Sequence, residues 1–138
     1  MYFVTVQSNA FNAYKQNSVT TASPGELTLM LYNGCIKFIG QAKNAINEKN
    51  IEQRNYYIQR AQAIIVEFMS TLNMDYEISN QMLPLYEYMN RRLTEANVKN
   101  SIEILDEVEG LVVEFRDTWK EVIKKNRQKQ YATGVNEI

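Results

Sequence analysis

Ser18-Val-Thr-Thr-Ala-Ser-Pro-Gly-Glu-Leu-Thr-Leu-Met-Leu-Tyr-Asn-Gly-Cys-Ile-Lys-Phe-Ile-Gly40 opens the first helix of this chain. Ser23 stands where an N-cap accepts a backbone N–H, Pro24 suits the first helical position, and Glu26 follows three residues after the serine. Together they read as a capping box with proline at its first turn. Such a cap contributes on the order of 1 kcal/mol. Beyond it the helix is apolar on two faces. Leu27, Met30, Leu31, Gly34, Cys35, Phe38 and Ala42 form one stripe. Leu29, Tyr32, Ile36 and Ile39 form a second, about 140° round the helix at helical spacing. A helix at the edge of a small domain needs one apolar stripe. The second needs a cover, either another helix of this chain or a partner.

Outward from this segment the helical period continues to about Asn47, then restarts three times. A second helix begins near Asn50, where Asn-Ile-Glu-Gln offers another cap, and its inward set is Tyr57, Ala61, Ile64, Ile65, Phe68 and Leu72, widened by Ile58 and Met69. A third carries Ile78, Met82, Leu85, Tyr86, Met89, Leu93 and Ala96. Pro84 falls inside that pattern, so this helix is either kinked there or begins there. A fourth is expected from near Asn100, with a seam of Leu105, Val108, Val112, Phe115 and Trp119, broadened by Ile104, Leu111 and Val122. Short links make consecutive helices antiparallel neighbours. The expected fold is all-α: an antiparallel four-helix bundle over residues 23–124, with an irregular N-terminal arm over 1–22 and a polar, frayed C-terminal tail over 125–138.

Composition narrows the function. The 138 residues carry 15 Lys plus Arg and 16 Asp plus Glu, a formal charge of −1, which gives no general pull toward nucleic acid or an anionic membrane. No apolar run approaches a spanning helix, and the N-terminus lacks the pattern of a signal peptide. The single cysteine allows no internal disulfide, which suits a reducing cytosol. The chain has no histidine, the commonest general base and metal ligand. Cys35 lies in an apolar stripe and reads as a buried, inert thiol. The acidic residues Glu103, Asp106, Glu107, Glu109 and Glu114 read as the solvated side of a helix. No enzyme activity, cofactor or metal site is therefore expected. The second stripe points instead to an interaction protein.

Four ordered pieces resemble the family of flagellar secretion chaperones called FliS. Tyr14 with Val19-Thr-Thr-Ala-Ser-Pro-Gly-Glu-Leu27 and Met30-Leu-Tyr-Asn-Gly34 is similar to its hallmark segment. Ala61-Gln-Ala-Ile-Ile65 with Leu72 resembles its second helix. Leu85-Tyr-Glu-Tyr-Met-Asn-Arg-Arg-Leu-Thr-Glu-Ala-Asn97 resembles its third, and Asp106-Glu-Val108 with Phe115-Arg-Asp-Thr-Trp119 its last. The link between helices 2 and 3 departs from the family in lacking a glycine pair, and Pro84 is a further departure. The resemblance implies a cytoplasmic helical bundle that binds the disordered C-terminal segment of flagellin, prevents its premature polymerisation and keeps it competent for export. It implies flagellin as partner, with export-gate components as further candidates, and no nucleic acid or membrane insertion. On this reading the client-binding residues are Leu29, Tyr32, Ile36, Ile39, Ile58, Ile65, Met69 and Leu111. Phe11, Tyr14 and Val19 are anchors on the arm that could serve as a lid. Arg91 and Arg92 are either client contacts or part of a solvated face with Glu87 and Glu95. The alternative is a self-associating structural or adaptor bundle.

Overall fold

The computed structural model describes residues 23–133, with side chains to residue 128. The arm anchors Phe11, Tyr14 and Val19 lie outside the described residues. Four helices follow in order: α1 Pro24–Asn47, α2 Ile51–Thr71, α3 Glu77–Lys99 and α4 Ile102–Thr133, with no strand among the described residues. The fold is the expected all-α four-helix bundle. Its helices divide between two compact units, one spanning Gly34–Val112 and the other holding the described residues 23–33 and 113–133.

In the Gly34–Val112 unit, cross-helix pairs fix direction. The stacked rings of Phe38 and Tyr57 lie 6.3 Å apart, and the Cys35 Sγ donates to the Ala61 carbonyl at 3.8 Å. Their reversed order makes α1 and α2 antiparallel. Gln62 Nε2 donates to Thr94 Oγ1 at 2.8 Å and Arg54 Nε to Asn97 Oδ1 at 2.8 Å, so α2 and α3 are antiparallel as well. The core holds Ile39, Ile58, Ile65, Met89, Leu93, Leu105 and Val108, each with no exposed surface. Complete burial of such a side chain is worth about 1.5–3 kcal/mol. The Phe68 and Tyr86 rings stack at 5.7 Å. The Cys35 thiol is completely buried, and desolvation pushes its pKa up to about 12, so it stays protonated and unreactive.

The helix ends show where local chemistry decides. Asn50 caps α2, its Oδ1 accepting from Gln53 N at 3.0 Å. Before it, Lys49 takes a left-handed conformation (φ 58°), with Asn50 N donating to Ala45 O and Lys49 N to Ile46 O. That is a Schellman ending. α3 ends similarly on left-handed Asn100, while Ser101 donates its N–H to Ala96 O. The start of α4 is therefore one residue later than expected. Ser101 is its cap, with Oγ accepting from Ile104 N at 3.2 Å. Asn97 lies within α3, and its Nδ2 donates to Asn55 Oδ1.

Two further differences concern α3 and α4. α3 starts at Glu77 and runs through Pro84, so proline neither starts nor ends it. The residues before it are anchored by Asn80, whose Nδ2 donates to the Met74 and Tyr76 carbonyls at 3.2 Å. Ile78 and Leu85, expected inside, are 59% and 43% exposed. α4 does not fray near Lys124 but continues to Thr133. Lys, Arg and Gln are good helix formers even where no apolar face is needed, and no glycine or proline interrupts the run before Gly134.

The unit formed by residues 23–33 and 113–133 is an antiparallel pair of helical segments. Ser23 Oγ accepts from Glu26 N at 3.2 Å, as the capping box requires. Trp119 Nε1 donates to Gly25 O at 2.8 Å, Arg116 donates to Asn33 Oδ1 at 3.2 Å, and Arg127 pairs with Glu26.

A surface network joins α3 to α4. The Tyr88 hydroxyl donates to Glu107 at 2.5 Å and Arg92 Nε to the same carboxylate at 2.8 Å. These two donors, tyrosine first, hold the Glu107 carboxyl below its usual range. Lys99 and then Arg92 do the same for Glu95. On α1, Lys43 bridges Glu109 and Asp106 at 2.9 Å each, and these bonds raise its pKa.

Two outcomes are expected. Pro84 is exposed and blocks one helical hydrogen bond, so Pro84→Ala should stabilise the chain by about 1–3 kcal/mol in urea unfolding. The network carboxylates have folded pKa values below their unfolded ones, so their contribution is present above the ordinary carboxylate range and is lost as pH falls through the lowered values. The urea midpoint should therefore drop on acidification, and Glu107→Gln should flatten that acid-side slope. Both carboxylates are solvent-exposed, so the effect is small.

Candidate functional site

The sequence-predicted contact residues separate by burial. In the Gly34–Val112 unit, Ile39, Ile58 and Ile65 have no exposed surface. They are core, because the faces of α1 and α2 that carry them are flanked by neighbouring helices. Ile36, Met69 and Leu111 are half-buried. In the other unit Tyr32 is buried, at 5% exposure, and Leu29 is half-buried. The half-buried positions are the ones from which a side chain can reach a partner without the core opening.

Met69 lines an open hollow of about 810 Å³ on the α2–α3 surface, with Glu87, Asn90, Arg91, Thr94, Glu95 and Val98. Val98 is 81% exposed. The two arginines singled out from the sequence have different roles here. Arg92 is held by Glu95 at 2.7 Å and by Glu107 at 2.8 Å. Arg91 faces the hollow, its guanidinium 5.6 Å from the Tyr88 ring centroid. The Oδ1 of Asn90 is buried without a hydrogen-bond partner. A wide, shallow surface with a methionine and exposed polar groups suits a peptide segment more than a small molecule.

Leu29 lines a different hollow, of about 550 Å³, with Glu26, Lys120, Ile123, Lys124, Arg127 and Gln128. On the other side of Ile123 a smaller hollow of about 320 Å³ is lined by Ser23, Pro24, Gly25, Thr28, Trp119, Val122 and Asn126. The sequence reading missed the α4 side of these hollows. The signal was present as Lys120 and Lys124, spaced by four, on either side of the apolar Val122-Ile123, but the reading ended the helix at Lys124. Met69 and Leu29 thus line different hollows, and neither Ile36 nor Leu111 lines any of these three. Among the described residues no group of three or more His, Cys, Asp or Glu is placed to hold a metal ion, and no helix is long and apolar enough to cross a membrane.

Comparison with known proteins gives these surfaces a context. The family model described as "Flagellar protein FliS" matches residues 7–126. The flagellar secretion chaperone FliS of Bacillus subtilis is 51% identical over 126 residues, covering 91% of this chain and 95% of that protein. Its counterpart in Campylobacter jejuni is 36% identical over 120 residues, covering 85% and 94%. A bacterial flagellar chaperone crystal structure matches the fold with a TM-score of 0.69 at 18% identity, over 86% of this chain and 98% of that one. With a family model over residues 7–126 and a 51% identical relative matched over most of both chains, this chain belongs to the FliS flagellar secretion chaperones.

Proposed function

We propose that this chain is a cytoplasmic, non-enzymatic chaperone that binds the disordered C-terminal segment of flagellin, prevents its premature polymerisation and keeps it fit for export. The observation that carries this reading is the half-exposed state of Ile36 on α1, in a chain of the flagellar secretion chaperone family. Met69 and Leu111 are half-exposed on α2 and α4 and extend the contact. A segment that folds on binding can reach such dispersed anchors, typically burying about 1,000–3,000 Å². Ile39, Ile58 and Ile65, with no exposed surface, form the core of the same unit. The export gate is the destination of the complex on this reading. The arm residues Phe11, Tyr14 and Val19 would act as a lid that client displaces.

Calorimetric titration with a peptide covering the C-terminal segment of the cognate flagellin tests the reading. Binding with a negative heat-capacity change and a gain in peptide helicity is expected. Ile36→Ala should weaken it by about tenfold with chaperone helicity unchanged, the size of a typical anchor loss. No binding, or undiminished binding by a folded Ile36→Asp variant, would overturn the assignment of this face. Light scattering separates the alternative: a chain that forms an oligomer on its own and ignores the peptide is a structural bundle. Deleting residues 1–16 should alter client affinity if the arm is a lid.

A further inference from the structure

The hollow that contains Leu29 is basic at its rim and apolar at its floor. Its charged lining residues are Lys120, Lys124, Arg127 and Glu26. Glu26 is already paired with Arg127. Lys120 and Lys124 are exposed and make no ion pair among the described residues. They sit one above the other on α4, four residues or ~6 Å apart along the helix. Beneath them Ile123 is 9% exposed and Leu29 is half-buried. This is a concave surface with two free cations in register above an apolar strip, in a chain whose formal charge is −1.

Asp117 and Glu121 stand three residues before Lys120 and Lys124, but neither lines the hollow, and Asp117 is paired with Arg116. The 22 residues before Ser23 include no Asp or Glu, and their only charged side chain is Lys15. After Thr133 there is a single acidic side chain, Glu137. The arm could supply apolar groups but no carboxylates. We infer that the Leu29–Ile123 hollow docks an acidic amphipathic helix from a second protein, its apolar side chains on Leu29 and Ile123 and carboxylates at i, i+4 spacing on Lys120 and Lys124. Gln128, the next lining residue on the same line of α4, offers an amide to the following turn. An anionic membrane would meet the lysines but leave the concave floor unfilled, and a nucleic-acid backbone would do the same. The inference does not rest on flagellin being the client, because the rim selects carboxylates whichever protein supplies them.

The test uses the full chain and a designed amphipathic peptide of about five turns. It carries leucines at i, i+3, i+4 and i+7 and flanking glutamates at i, i+4, and is compared with counterparts having glutamine or lysine in place of the glutamates. The glutamate peptide should bind, gain helicity, and weaken several-fold when salt rises from about 50 to 300 mM. Lys120→Glu with Lys124→Glu should cut its affinity by about tenfold or more. Both positions are exposed, so helicity should be unchanged, and Lys→Arg at both should retain binding. Equal binding of the glutamine peptide, or insensitivity to the charge reversal, would overturn the inference. So would lysine-dependent binding of phosphatidylcholine–phosphatidylglycerol vesicles or of single-stranded DNA in the absence of peptide binding. The flagellin C-terminal peptide is titrated separately against the same chain: acidic-peptide binding that fails while flagellin binding persists counts against this site alone.

Discussion

Close packing of α2 against α3, with Cys35 of α1 seated on Ala61, is the constraint on which the Gly34–Val112 unit depends. Cys35, Ala42, Ala61 and Ala96 have no exposed surface, and Cys35 Sγ reaches the Ala61 carbonyl. Where a helix meets its neighbour through side chains this short, the large residues must pack to either side of the seam. Ile39, Ile58, Ile65 and Met89 are fully buried under that arrangement. Larger side chains at the four small positions would push the helices apart, and overpacked cores lose stability through displaced rotamers and backbone. A thiol suits Cys35 because it has the size of a small apolar group, and its complete burial removes it from redox chemistry.

Much of this was legible in the sequence because it is local. Ser23 and Asn50 are caps at the expected positions, each accepting a backbone N–H three residues on. The heptad-like seam of α4 supplies buried Leu105, Val108 and Val112. What escaped the reading depends on neighbours. An inner helix of a bundle touches two others, so two apolar stripes on α1 are equally compatible with an internal neighbour and with a client. Periodicity carries no mark that separates them, and the structure places Ile39 in the core while leaving Ile36 half-exposed.

The helix boundaries show the same division. Asn and Ser are adjacent at the α3–α4 junction, and either can cap a helix. Tertiary pairing decides between them: Asn100 accepts from Arg54 Nη1 at 2.9 Å and takes the left-handed end of α3, leaving Ser101 to start α4. The length of α4 was missed for a different reason. Apolar spacing signals burial, not helicity, and a solvated run of Lys, Arg and Gln can remain helical without it.

That extension changes how the charge of the chain is distributed. The early acidic residues of α4 are partly committed: Asp106 and Glu109 to Lys43, Glu107 to Arg92 and Tyr88. Among the later basic residues, Arg127 is committed to Glu26, whereas Lys120 and Lys124 are not committed within the described residues. A net charge near zero therefore conceals a helix whose acidic part is joined to its own fold and whose basic part includes free cations. Exposed ion pairs add little to stability, but free cations aligned beside an apolar floor can set which partner docks and how fast it arrives. The polar end of α4, which buries few apolar groups, thus has a physical use as an ordered helix: only in that conformation do Arg127 and Gln128 line the hollow with Lys120 and Lys124.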